Sequence, residues 1–247
     1  MIYKVKMKES IELQFDNTGI REAVVRHHSV FIKINMARPA EPGHPRTDPL
    51  LLSQIIHYIS LYGGSCTIGE CANGYLRSNL EHSGLGEVIE KYKVQVIDLD
   101  NDEVDKVVVN SEEHFLPKLL KNFGVRIGIP ATSKRPEMIF SNNVKLFVGI
   151  VPRRMYQIGD TATTWRPRVH VDLHTSVANI FQAVHQYAPF DFFINGGMAM
   201  DEQKREFMMT DILVGDNAIE LDMYVLQNHF PRHKIPEYLQ MLIGGLK

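Results

Sequence analysis

The sequence predicts an α/β fold: a doubly wound, mostly parallel sheet with helices on both faces. Three observations predict it. Short β-branched and aromatic runs alternate with segments of helical spacing between residues 29 and 99, in the order strand, helix, strand, helix, strand. The connections carry the glycines, prolines and acidic residues that stop regular structure. The 247 residues are 44% hydrophobic, enough to bury a core as one domain or as two closely packed lobes. No internal repeat or linker divides residues 1–247, so a single unit is expected.

Ser29–Asn35 (SVFIKIN) reads as a strand that stops at MARPAEPGHPRTDP, a proline-rich loop. Thr47-Asp48-Pro49 is a capping signal with proline at the first helical turn, and Leu50–Leu61 then carries apolar residues at helical spacing up to Gly63-Gly64. Ser65–Ile68 is a strand, Leu85–Tyr92 a helix and Val94–Leu99 the third strand. Val125–Ile129 and Val144–Val151 continue the strand-like runs, although the second also suits a helix. Val171–Tyr187 places Val177, Ile180, Phe181 and Val184 on one helical face, and Phe190–Ile194 is a strand that breaks into Asn195-Gly196-Gly197.

With 27 basic and 29 acidic residues the net charge is −2, which gives no positive field to attract nucleic acid. Cys66 and Cys71 are too few for a disulfide framework, an iron–sulfur cluster or an all-cysteine zinc site, and a reducing cytoplasm is expected. The first twenty residues lack an apolar leader core, and no window approaches the ~18 apolar residues of a membrane span. Gly63–Glu70 has neither the GKS/T ending of a phosphate loop nor the GxGxxG spacing of a dinucleotide fold, so ATP and NAD are not expected, and no cofactor is assigned.

Parallel topology would bring the residues after each strand to one rim: Asn35 and Arg38, Glu70 and Asn73, Asp98 and Asp100, Ser133 and Lys134, Asn195 and Asp201. Polarity alone marks wet loops, so convergence is what argues for a site. Between Arg126 and Arg168 stand eight basic residues, among them Lys134, Lys145, Arg153, Arg154 and Arg166, and two acids. Such an excess suits a carboxylate, phosphate or sulfate ligand, and equally a solvated basic face. Trp165 either walls the pocket or packs. His170 and His174, four residues apart, have the spacing by which one helix offers two ligands to a metal, but the glutamate of an HExxH motif is absent. General acid–base work by His174, or capping and packing, is the stronger reading.

The order of these landmarks resembles the bacterial and archaeal DUF362 proteins, from about Val30 to Pro236. The matching residues are Ile32-Lys33-Ile34-Asn35, Thr47-Asp48-Pro49, Ile68-Gly69-Glu70, Ile97-Asp98-Leu99-Asp100, Pro130 with Lys134, and Lys145-Leu146-Phe147-Val148-Gly149. Asp172-Leu173-His174, Asn195-Gly196-Gly197-Met198-Ala199-Met200 and Ile212-Leu213-Val214-Gly215-Asp216 running on to Asp222 match most strongly. Many proteins of that family append a ferredoxin-like cysteine cluster, which two cysteines cannot form. The resemblance also implies Asp where Asn195 stands and a histidine where Arg135 follows Lys134, so the shared scaffold is expected to be retuned for its own substrate.

The leading expectation is therefore a cofactor-independent enzyme of small-molecule, specialised metabolism. It would act on an amino-acid-like, sulfated or phosphorylated anion by acid–base elimination, cyclisation or isomerisation. His174, Lys134, Asp222 and Glu70 are the expected proton-handling residues, with Lys33, Asn35, Arg38, Lys145, Arg153, Arg154, Arg166, Arg168 and Asn195 around the substrate. Two alternatives stay open: a non-catalytic ligand-binding or partner subunit, and a metal-dependent enzyme using His170 and His174.

Overall fold

Ser29–Ile34 (β2) is buried on both sides: Val30, Ile32 and Ile34 enter one core and Phe31 the other, as expected of a strand inside a parallel sheet. In the computed structural model, which describes residues 1–6, 15–36, 44–135, 138–159, 163, 165–203 and 205–244, this strand lies near the sheet's centre. Ser65–Glu70 (β3) and Gln95–Asp98 (β4) follow it on one side, and Val125–Ile129 (β7) and Phe192–Met200 (β10) on the other, all parallel. Glu206–Gly215 (β11) folds back antiparallel on β10, and Ile2–Lys6 (β1) pairs antiparallel with β11. The order β1-β11-β10-β7-β2-β3-β4 thus winds outward from β2 through β4, then restarts on the other side of β2 at β7. Strand order reverses between β2 and β7, and in such sheets that crevice is where ligands bind.

Ile20–His27 (α1), Pro49–Leu61 (α2), Leu76–His82 (α3) and Leu85–Tyr92 (α4) cover one face around Leu51, Leu52, Ile55, Ile56 and Ile59. Helix α2 begins as its sequence predicts, with Pro49 in its first turn and the Asp48 carboxylate accepting the Leu51 N–H at 3.0 Å. The other face carries Asn143–Leu146 (α5), Pro167–Val171 (α6), Leu173–Tyr187 (α7), Ala218–His229 (α8) and Glu237–Gly244 (α9). A hairpin of Val104–Val109 (β5) and Glu112–Pro117 (β6) packs on α7, and Ser133–Arg135 (β8) with Met138–Ser141 (β9) extends the main sheet beyond β10. No described helix is long and apolar enough to cross a membrane.

Two expectations are corrected and one open alternative is decided. Of the two readings of Val144–Val151 the helical one holds up to Gly149: α5 and a 3-10 turn at Phe147–Gly149 occupy it, because the Asp222 carboxylate reaches over from α8 and accepts the Asn143 and Val144 N–H groups at 2.9 and 3.1 Å. The Asn195-Gly196-Gly197 turn is not a strand end. Strand β10 runs through it with a register shift against β11 between Asn195 and Gly197, a bulge that Gly197 accommodates at φ +73°. The second correction concerns His170 and His174, whose helical spacing does not exist: α6 ends at Val171, and Asp172 breaks the chain at φ −135°, ψ 90° before capping α7.

Candidate functional site

At the carboxyl ends of β2, β3 and β4, residues from distant parts of the chain converge. The Lys33 ammonium and the Glu70 carboxylate meet at 2.8 Å, both sealed from solvent at 0% and 1% exposure. Lys33 also donates to the Ile34 carbonyl at 2.6 Å, and Glu70 accepts the Met36 N–H at 3.0 Å. Burial pushes the Glu70 carboxyl up and the Lys33 ammonium down, each opposed by the other's charge. Gly149 forms the lid. A Cβ there would stand 2.4 Å from Glu70 Oε1 and 2.8 Å from Lys33 Nζ, and that Oε1 has no hydrogen-bond partner among the described residues.

Beside this pair the Arg166 guanidinium is buried and clamps two segments, donating to Val151 O at 2.7 Å in one and to Asn73 Oδ1 at 2.8 Å and Cys71 O at 3.1 Å in the other. Arg154 donates to the carbonyls of Asp100 and Asp102, and the Arg153 N–H bonds the Asp100 carboxylate. Asp98, half-buried next to them, has its pKa raised by burial, against the lowering influence of the Asp100 N–H it accepts. The basic stretch therefore does not form one patch. Arg126 sits at the amino end of β7 with Nε on the Leu120 carbonyl at 2.8 Å, and Arg168 and His170 are exposed on α6.

The switch point itself is bridged by Thr47. Its hydroxyl donates to Ile129 O of β7 at 2.6 Å and accepts the Asn35 N–H beyond β2 at 2.8 Å, while its own N–H bonds Asn35 O at 3.0 Å. One side chain ties the ends of both central strands. Asp48 does the same for β10, since its Oδ2 accepts the Met198 N–H at 3.0 Å and leaves no room for a Cβ on Gly197. Behind them lies a buried polar network. Asn143 Nδ2 donates to Asn195 Oδ1 at 2.8 Å and to Asp222 at 3.0 Å, and Thr132 donates to Asn142 Oδ1 at 2.9 Å. Asp222 is fully enclosed, and burial pushes its pKa up to about 7.

Next to Thr47 and Asp48 opens a cavity of about 160 Å³, lined also by His44, Arg46, Ser83, Met198 and Met200, with exposed Glu206 at its edge. Arg46 is half-buried, and its guanidinium makes no hydrogen bond or ion pair among the described residues. Sequence reasoning treated residues 44–46 as loop. The available signal was their position, in a segment that follows a central parallel strand and enters a capped helix, which must therefore cross the carboxyl rim.

Of the remaining predicted residues, Lys134 on β8 and Lys145 on α5 are half-buried and partnered, and neither lines this cavity. His174 is half-buried in the first turn of α7, where its Nδ1 accepts the Tyr238 N–H at 3.4 Å and its ring stacks on that tyrosine. Arg38 lies outside the described residues. Among the described residues no three His, Cys, Asp or Glu side chains come together as a metal ion would require.

Fold and rim together define a doubly wound α/β protein whose strand order reverses between β2 and β7, with a cavity beside Thr47, Asp48 and the end of β10. The chain belongs to the DUF362 family, the domain of unknown function whose model matches residues 30–227. No curated protein matches the sequence.

Proposed function

We propose that this protein is an enzyme that binds a small anion of amino-acid-like, sulfated or phosphorylated type in the cavity beside Thr47 and Asp48 and transforms it by acid–base chemistry. The half-buried Arg46 guanidinium, which has no acceptor among the described residues, carries this reading. A cation held partly out of water without an acceptor has lost hydration, and a ligand carboxylate, phosphate or sulfate restores that loss through bidentate hydrogen bonds. A volume of about 160 Å³ suits a molecule of amino-acid size.

Proton transfer in this reading falls to His44, which shares the cavity wall with Arg46. Imidazole both accepts and donates, as elimination, cyclisation or isomerisation next to an anionic group requires. Glu70 and Asp222 are enclosed by protein and act as positioning groups, while Lys134 and His174 stand off the cavity. Titration calorimetry with inorganic phosphate, sulfate and L-aspartate tests the binding step. At least one should bind, and Arg46→Ala should weaken it about 10- to 100-fold, the yield of a charged hydrogen bond of ~1.5–3 kcal/mol. If none binds, or if Arg46→Ala binds equally well, the reading fails. For a bound amino acid, deuterium exchange at the carbon next to the carboxylate should be lost in His44→Gln with affinity retained.

A further inference from the structure

Away from the rim, a second cavity of about 220 Å³ opens between hairpin β5–β6 and the α6–α7 junction. His114 on β6 lies in its wall at 4% exposure, opposite the apolar side chains Val169 and Ile180. The Tyr156 hydroxyl oxygen accepts the Phe115 N–H at 3.3 Å and stands 3.3 Å from His114 Nδ1, to which the site proposed below has the hydroxyl proton donated. That bond makes Nδ1 an acceptor and leaves the imidazole proton on Nε2. Nε2 is buried and has no hydrogen-bond partner among the described residues, with Glu112 Oε2 at 3.9 Å outside bonding range. Burial also lowers the pKa of His114, against the pull of Glu112, which keeps the ring in this neutral form.

Arg168 supplies the second donor. Its guanidinium lies 6.0 Å from the Tyr156 ring centroid and forms no ion pair among the described residues. The acids around the cavity are already engaged: Glu113 pairs with Lys106 at 2.8 Å, Glu112 accepts Asn179 Nδ2 at 3.0 Å, and Asp172 accepts the Thr175 N–H at 3.2 Å as the cap of α7. A buried imidazole nitrogen without a partner and an exposed guanidinium without an ion pair among the described residues thus stand beside an apolar wall.

We infer that this cavity is a second binding site, for a small organic carboxylate with an apolar body. Its carboxylate bridges His114 Nε2–H and the Arg168 guanidinium, and its body lies against Tyr156, Val169 and Ile180. The site is independent of the rim cavity, with which it shares no lining residue.

Benzoate is the probe, and benzyl alcohol its uncharged counterpart. Calorimetry on the full chain should show benzoate binding at least tenfold tighter than benzyl alcohol. Arg168→Ala and His114→Phe should each weaken it about tenfold, and Arg46→Ala should leave it unchanged. Because His114 is buried and its replacement risks the fold, nitrogen NMR of the wild-type imidazoles gives a second reading, in which benzoate shifts the His114 Nε2–H resonance. Equal binding of the two probes, survival of benzoate binding in Arg168→Ala, or an unmoved His114 resonance overturns the inference. Loss of benzoate binding in Arg46→Ala alone would place benzoate in the rim cavity and also overturn it.

Discussion

Lys33 and Glu70 show how one residue's role depends on what covers it. In sequence they are charged residues at two strand ends, and parallel register sets Lys33 opposite Gly69, one residue before Glu70. Covered by Gly149, they become a buried pair whose removal from water costs more than an exposed pair ever returns. Lys33→Met should therefore destabilise the fold by ~3–5 kcal/mol, since it strands a carboxylate in the core. The double change Lys33→Met with Glu70→Gln should recover much of that loss, because no unpaired charge remains. Urea denaturation of the two singles and the double measures the coupling. Additive losses would show that the two groups do not stabilise one another.

At the scale of elements, Asp222 decides whether residues 143–146 become helix, and it does so by capping them from α8. Its folded pKa of about 7 stands above the usual carboxylate value of ~3.9. The sign follows from the raised value: the fold holds a proton there that the unfolded chain has released. This contribution to stability is complete below about pH 4 and is lost as pH rises toward 7. Wild-type stability should carry that decline across pH 4–7, and Asp222→Asn, although weaker overall for want of one acceptor, should lack it. Denaturation midpoints measured at intervals over that range compare the slopes. Equal slopes would assign the decline to other groups. Thr47 works at the same scale, because a single hydroxyl joins the ends of β2 and β7 and so shapes the crevice beside it.

Across the whole molecule, two apolar cores flank a single sheet, and every central strand contributes to both or lies between them. Opening β2 or β7 would breach both cores together, whereas β1 pairs on one edge only and the β5–β6 hairpin belongs to a separate two-stranded sheet. Amide hydrogen exchange should therefore be slowest in β2 and β7 and faster by orders of magnitude in β1 and the hairpin. Uniform protection across these strands would contradict that hierarchy. The same layering explains the separation of the two cavities. One opens at the carboxyl rim beside α2, and the other between the hairpin and the α6–α7 junction on the opposite layer.

The α/β class, the five parallel strands at the centre of the sheet and the helices α2, α4 and α7 were legible in sequence, because burial on both faces and helical periodicity are local patterns. Leu85–Tyr92 has the predicted limits, and Pro49–Leu61 starts at its predicted cap. The family was legible too, since the spacing of short motifs survives in the linear order. Tertiary structure decided the rest. Of the strand and helix readings of Val144–Val151, the helical one holds up to Gly149 because a carboxylate 78 residues from Val144 in sequence caps it, and β10 passes through its glycines because a bulge is tolerated there. Arg166 is a buried clamp and Arg46 lines a cavity without a partner among the described residues, although both are arginines in polar loops. A charge's function is set by which carbonyls, carboxylates and empty space surround it, and those neighbours come from strands that only the folded sheet brings together.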